Sequence, residues 1–97
     1  MKAIFISYNQ AYYTEILELL EKNGERGYTQ WNEIAGRGSV DGEPHEGSHA
    51  WPTLNNAVLA VVDDSKVSAI LEQVREKDGK SPELGLRAFV WNIEQSC

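Results

Sequence analysis

Ninety-seven residues, 41% hydrophobic and 25% charged, make one soluble domain around a single core. Fifteen acidic against nine basic side chains leave a net charge of −6. No cluster of lysines and arginines supplies the basic face that direct nucleic-acid binding needs. The longest apolar run, "AVLAVV" at 57–62, is far too short to cross a membrane, and the N-terminus lacks the apolar core and cleavage site of a signal peptide. Cys97, the single cysteine, has no intrachain partner. A cytoplasmic protein is expected, meeting other proteins, small ligands or cations.

"KAIFISY" (2–8) is rich in strand formers and apolar on both alternating faces, the pattern of a central strand. In "QAYYTEILELLEKNG" (10–24), Tyr13, Ile16, Leu17 and Leu20 fall at helical spacing, with Asn9 as N-cap and Gly24 as the stop. A strand pattern resumes at Gly27 and runs to the glycines at 36 and 38. "TLNNAVLAVVDD" (53–64) reads as a third strand that delivers Asp63 or Asp64 as the cap of a second helix. There Val67, Ile70, Leu71 and Val74 form the apolar stripe and Gly79 ends it. "LRAFVWNI" (86–93) is the last strand. The order β-α-β-β-α-β predicts an α+β, ferredoxin-like domain over 1–97. Two helices would cover one face of a four-stranded antiparallel sheet, with a long loop between strands 2 and 3.

Alternation in the last two strands has a consequence. Phe89, Trp91 and Ile93 point one way, Ala88 and Val90 the other; Ala57, Leu59 and Val61 oppose Val58, Ala60 and Val62. A sheet covered on one side should be polar on its bare side. This one is apolar on both, which predicts burial against copies of itself.

The loop at 36–52, "GRGSVDGEPHEGSHAWP", holds both histidines of the chain. A connection this long inside a compact domain is usually functional or disordered. The second strand and its exit, "GYTQWNEIAGRGSVDG", together with "AVLAVVDDSKVSAILEQV", resemble the PII (GlnB-like) signalling proteins over nearly the whole chain. The resemblance implies a homotrimer with inward-facing sheets, an adenine nucleotide in the clefts between subunits, and a T-loop that engages a target such as a membrane transporter or an enzyme. Residue by residue, it implies adenine contacts at Gly27, Tyr28, Thr29 and Val62. It also implies phosphate contacts at Gly36 and Gly38, whose backbone amides can form an anion nest. Where the family has a loop-base glutamine this chain has Val40, so strict 2-oxoglutarate sensing is not expected. The family's Gly-Asp-Gly-Lys turn before the last strand is replaced by "DGKSPELGLR".

Arg37, Lys80 and Arg87 are the candidate cations for a phosphate or carboxylate, against ordinary surface charge as the plain alternative. Val40, Asp41 and Trp51 are the loop positions expected to grip a partner. His45 and His49, interleaved with Glu43 and Glu46, are candidate ligands for a divalent transition metal, as imidazole and carboxylate suit zinc, copper, nickel or cobalt. No histidine is oriented as a catalytic triad requires, and Cys97 has no nearby base, so catalysis is not expected. The leading expectation is an effector-binding regulator; the alternatives are a metal-binding sensor and a ligand-free interaction module.

Overall fold

The computed structural model describes residues 1–37, 44 and 54–97. Strands β1 (Lys2–Asn9), β2 (Thr29–Ile34), β3 (Asn55–Val62) and β4 (Arg87–Asn92) form one sheet in the order β2-β3-β1-β4, antiparallel throughout. Helices α1 (Tyr13–Lys22) and α2 (Asp64–Lys80) cross between them. This is the ferredoxin-like arrangement expected from the element order, with β1 in the interior of the sheet.

Both helices pack on one face. Ile4, Ile6 and Tyr8 of β1 join Val58, Ala60 and Val62 of β3, Ile16, Leu19 and Leu20 of α1, and Ile70 and Val74 of α2 in a single buried cluster. The pairing register places Ile6 level with Val58 and Ala88, and Ile4 level with Ala60 and Val90, so every second residue faces the helices. The intervening residues build the other face. One row runs Phe89, Phe5, Leu59, Thr29; the next runs Arg87, Ser7, Ala57, Trp31. No helix among the described residues covers this side, and Trp31, Val61, Phe89 and Trp91 keep 44%, 43%, 58% and 48% of their surface exposed.

Several boundaries differ from the sequence pattern. Asn9 caps a 3-10 turn at Gln10–Tyr12, its Oδ1 accepting from the Ala11 N–H at 2.8 Å, and α1 starts only at Tyr13. Leu19 is buried in α1 while Tyr13 is exposed and Leu17 half-buried, so the inward face centres on Ile16, Leu19 and Leu20. Gly24 does terminate the helix in the left-handed region, at φ 80°. Gly79 does not end α2, which continues to Lys80 and is followed by a second 3-10 turn at Pro82–Leu84 that left-handed Gly85 closes. Asp63 occupies the α2 N-cap position without a side-chain cap bond. Asp64 instead meets the N-terminal ammonium of Met1 at 3.0 Å, which holds its carboxyl below the usual range.

One irregularity lies in β2. Its register with β3 shifts between Trp31 and Ile34, and Glu33 inside this bulge has φ 56°. Left-handed geometry costs a residue with a Cβ about 1 kcal/mol. The bulge is latched from the next strand: buried Asn56 accepts the Glu33 N–H through its Oδ1 at 3.0 Å. Glu33→Gly is therefore expected to raise stability by about 1 kcal/mol in urea unfolding, since glycine adopts this φ without strain.

Candidate functional site

Thr29 opens β2, an edge strand, and its register with Leu59 puts it on the uncovered face of the sheet. Gly27, Tyr28 and Thr29 border a shallow recess of about 320 Å³ whose remaining walls are Leu59 and Val61. An apolar floor, a half-exposed tyrosine ring and a threonine hydroxyl suit a flat, largely apolar ring with polar edges. A Cβ on Gly27 would meet nothing within 4 Å, so the space above it is open.

Val62, expected in this lining, faces the helices instead and is 2% exposed within the core. Its neighbour Val61 lies on the recess side. In a strand a shift of one residue exchanges the two faces.

At the exit of β2 a Cβ on Gly36 would lie 2.8 Å from the Asn55 amide nitrogen. A side chain there would have to displace the Asn55 side-chain amide, which favours glycine independently of any ligand. Arg37 is exposed and makes no ion pair among the described residues. Arg87 is tied down: its Nη1 donates to Asp78 Oδ1 at 3.2 Å and to the Leu86 carbonyl at 2.7 Å. Lys80 borders a groove between the two helices with Glu15, Glu18 and Glu76, on the far side of the sheet from Thr29.

Within one chain these groups form two sets. Gly27, Tyr28 and Thr29 come together, and Gly36 and Arg37 follow along the same strand exit. Arg87 lies on the opposite edge strand, three strand spacings or about 14 Å away from β2. Gly36, Arg37, Lys80 and Arg87 do not converge in a single copy. Gly38, Val40, Asp41, Glu43, His45, Glu46, His49 and Trp51 lie outside the described residues. Among the described residues no three histidine, cysteine or acidic side chains group as metal ligands.

Leu59 and Val61 were not among the residues singled out as candidates. The signal was present in the alternation of the third strand, once Thr29 is paired with Leu59.

Beneath the sheet, the Tyr8 hydroxyl is buried beside the Asn56 side chain but outside hydrogen-bonding geometry, and it has no partner among the described residues. Burial raises the phenol above its ordinary value, only partly offset by Asn56. The unfolded chain then releases this proton at a lower pH than the folded one, so stability is full below the ordinary tyrosine pKa and falls as pH rises through the folded value. Tyr8→Phe is expected to be neutral or stabilising by up to about 1 kcal/mol near pH 7, and to remove this alkaline loss. Urea midpoints measured between neutral pH and about pH 11 check both parts.

The family described as nitrogen regulatory protein P-II matches residues 1–96. No curated protein matches. Among solved structures, CPII from Thiomonas intermedia K12, a nitrogen regulatory PII-like protein bound to ADP, AMP and bicarbonate, superposes with a TM-score of 0.78 at 22% identity, covering 95% of this chain and 84% of that one. Its apo form gives 0.74 at 20% identity, with coverages of 95% and 87%. A PII-like signalling protein from Thermus thermophilus gives 0.68 at 22% identity, with coverages of 95% and 85%. At these identities the superpositions establish the fold, while the match over residues 1–96 establishes the lineage. The chain belongs to the nitrogen regulatory protein P-II family.

Proposed function

We propose that this chain is a non-catalytic PII-like regulator that works as a homotrimer. Three copies close their bare sheet faces inward, a small effector lodges in each cleft between neighbours, and the segment at 36–52 reports occupancy to a target protein. The observation that carries the reading is the uncovered face itself, where Trp31, Val61, Phe89 and Trp91 are each exposed by two-fifths or more. Covering what remains bare is worth about 1 kcal/mol for each of these side chains.

Association would also bring an edge strand of one copy against another copy. A neighbour's Arg87 could then complete an anion site begun by Gly36 and Arg37, which a single chain leaves about 14 Å apart from it. The recess of Gly27, Tyr28, Thr29, Leu59 and Val61 supports an adenine ring in the same cleft. The Thiomonas protein was found with ADP, AMP and bicarbonate, so these are the effectors to test first. Regulation requires that the ligand bind one loop state better than another; equal affinity shifts nothing.

Calorimetric titration with ADP, AMP, ATP and bicarbonate, alone and in pairs, tests the ligand. A saturable heat with at least one nucleotide is expected, together with a change in tryptophan fluorescence, because Trp31 lies on the face beside the recess. No heat and no spectral change with any of them would remove the nucleotide. Sedimentation tests the assembly separately.

A further inference from the structure

Asn56 stands on the helix-facing side of β3, level with Tyr8 of β1. By accepting the Glu33 N–H it fixes the left-handed bulge of β2. Between that bulge and the start of α1 lies a second recess of about 370 Å³, lined by Gln10, Tyr13, Asn32, Glu33 and Asn56. It shares no residue with the recess at Gly27–Thr29.

The chemistry of the lining is uniform. Every side chain ends in a polar group, none is basic, and the Glu33 carboxylate is the one formal charge among them. The side chains of Gln10 and Glu33 make no hydrogen bond or ion pair among the described residues. Asn32 accepts from the Gln30 amide through its Oδ1, which leaves its own amide N–H groups as donors. Beside Asn56 the Tyr8 hydroxyl is buried and without a partner among the described residues, an orphan of the kind that in native proteins calls for a functional or solvent explanation. The strained bulge puts Glu33 among these groups, and strained backbone gathers at ligand sites.

We propose that this recess binds a small molecule carrying a protonated primary amine. An ammonium offers three donors, matching the Glu33 carboxylate and the carbonyl oxygens of Gln10 and Asn56. The half-exposed Tyr13 ring adds a face for the cation. The Asn32 amide can donate to a hydroxyl on the same ligand, so an amino alcohol head fits better than a bare amine. A quaternary ammonium lacks the N–H groups that the carbonyl oxygens require. An anion would meet Glu33 with no compensating base. The site does not depend on the nucleotide reading.

The test is a titration of the full chain with ethanolamine hydrochloride, followed by nitrogen-15 NMR of the side-chain amides. Saturable shifts of the Gln10, Asn32 and Asn56 signals are expected in the millimolar range, which suits so small a ligand. Choline chloride at equal concentration should not reproduce them. Glu33→Gln, which keeps the shape and removes the charge, should weaken binding about tenfold. Glu33→Gly should lose binding while its melting temperature rises, which separates loss of the site from loss of the fold. Absence of saturable shifts up to about 50 mM, well past millimolar affinity, would overturn the proposal. So would an equal response to choline, or an unchanged Kd in Glu33→Gln.

Discussion

Trp91→Asp is expected to leave the chain folded and to take the assembly apart. Trp91 is 48% exposed on the bare face, so its replacement removes little from the helix-side core. In an inward-facing trimer the same position would hold a carboxylate removed from water, with two identical charges on the neighbouring copies. Burying an unpaired charge costs about 3 kcal/mol or more even after relaxation, roughly a hundredfold in Kd for each contact. Analytical ultracentrifugation at several concentrations should show the unaltered protein at three times the 10.9 kDa chain mass and the variant at the chain mass. Far-ultraviolet circular dichroism should be unchanged. If both sediment alike, the bare face is not where copies meet.

The second large effect separates the two faces of one strand. Ile6 is 0% exposed in the cluster shared by the sheet and both helices. Ile6→Ala should cost about 3 kcal/mol, from lost transfer energy and the cavity left behind. Domains of this size have about 5–15 kcal/mol in total, so the urea midpoint should fall by about 2 M, and by the same amount at every protein concentration. Its neighbour Phe5 points to the other side, where its ring lies 6.3 Å from that of Trp31. Phe5→Ala should act through association, so its effect should change with protein concentration. Equal, concentration-independent losses for the two variants would show that the bare face contributes as an ordinary core.

Alternation made these two faces readable in advance. Residues 57–62 are all apolar and 88–93 are apolar apart from Asn92, so both alternating faces of these strands read as apolar. That is why a surplus apolar face could be recognised before any coordinates. The same regularity carried the element order and hence the fold. The site was less legible. Val62 and Val61 are chemically identical neighbours, and only the pairing of Thr29 with Leu59 decides which one faces the recess. The role of Gly36 was equally ambiguous: a glycine spared for a phosphate and a glycine spared for the Asn55 amide look the same in one dimension. The bulge left no local mark either. Glutamate is a poor indicator of left-handed backbone, and the group that stabilises it, Asn56, is 23 residues further along the chain. Arg37, Lys80 and Arg87 could be picked as cations, but their separation depends on strand order and on which side of the sheet each lies.

The break in β2 also bears on how copies of this chain can meet. A continuous edge strand invites another chain to pair along it and extend the ladder without limit, the route by which sheets grow into fibrils. Here a second strand advancing along that rim would lose register after Trp31 and confront Glu33 in the wrong backbone hand. Growth sideways is thereby discouraged on one margin. The proposed contact through the flat of the sheet, by contrast, can close on itself after a fixed number of copies.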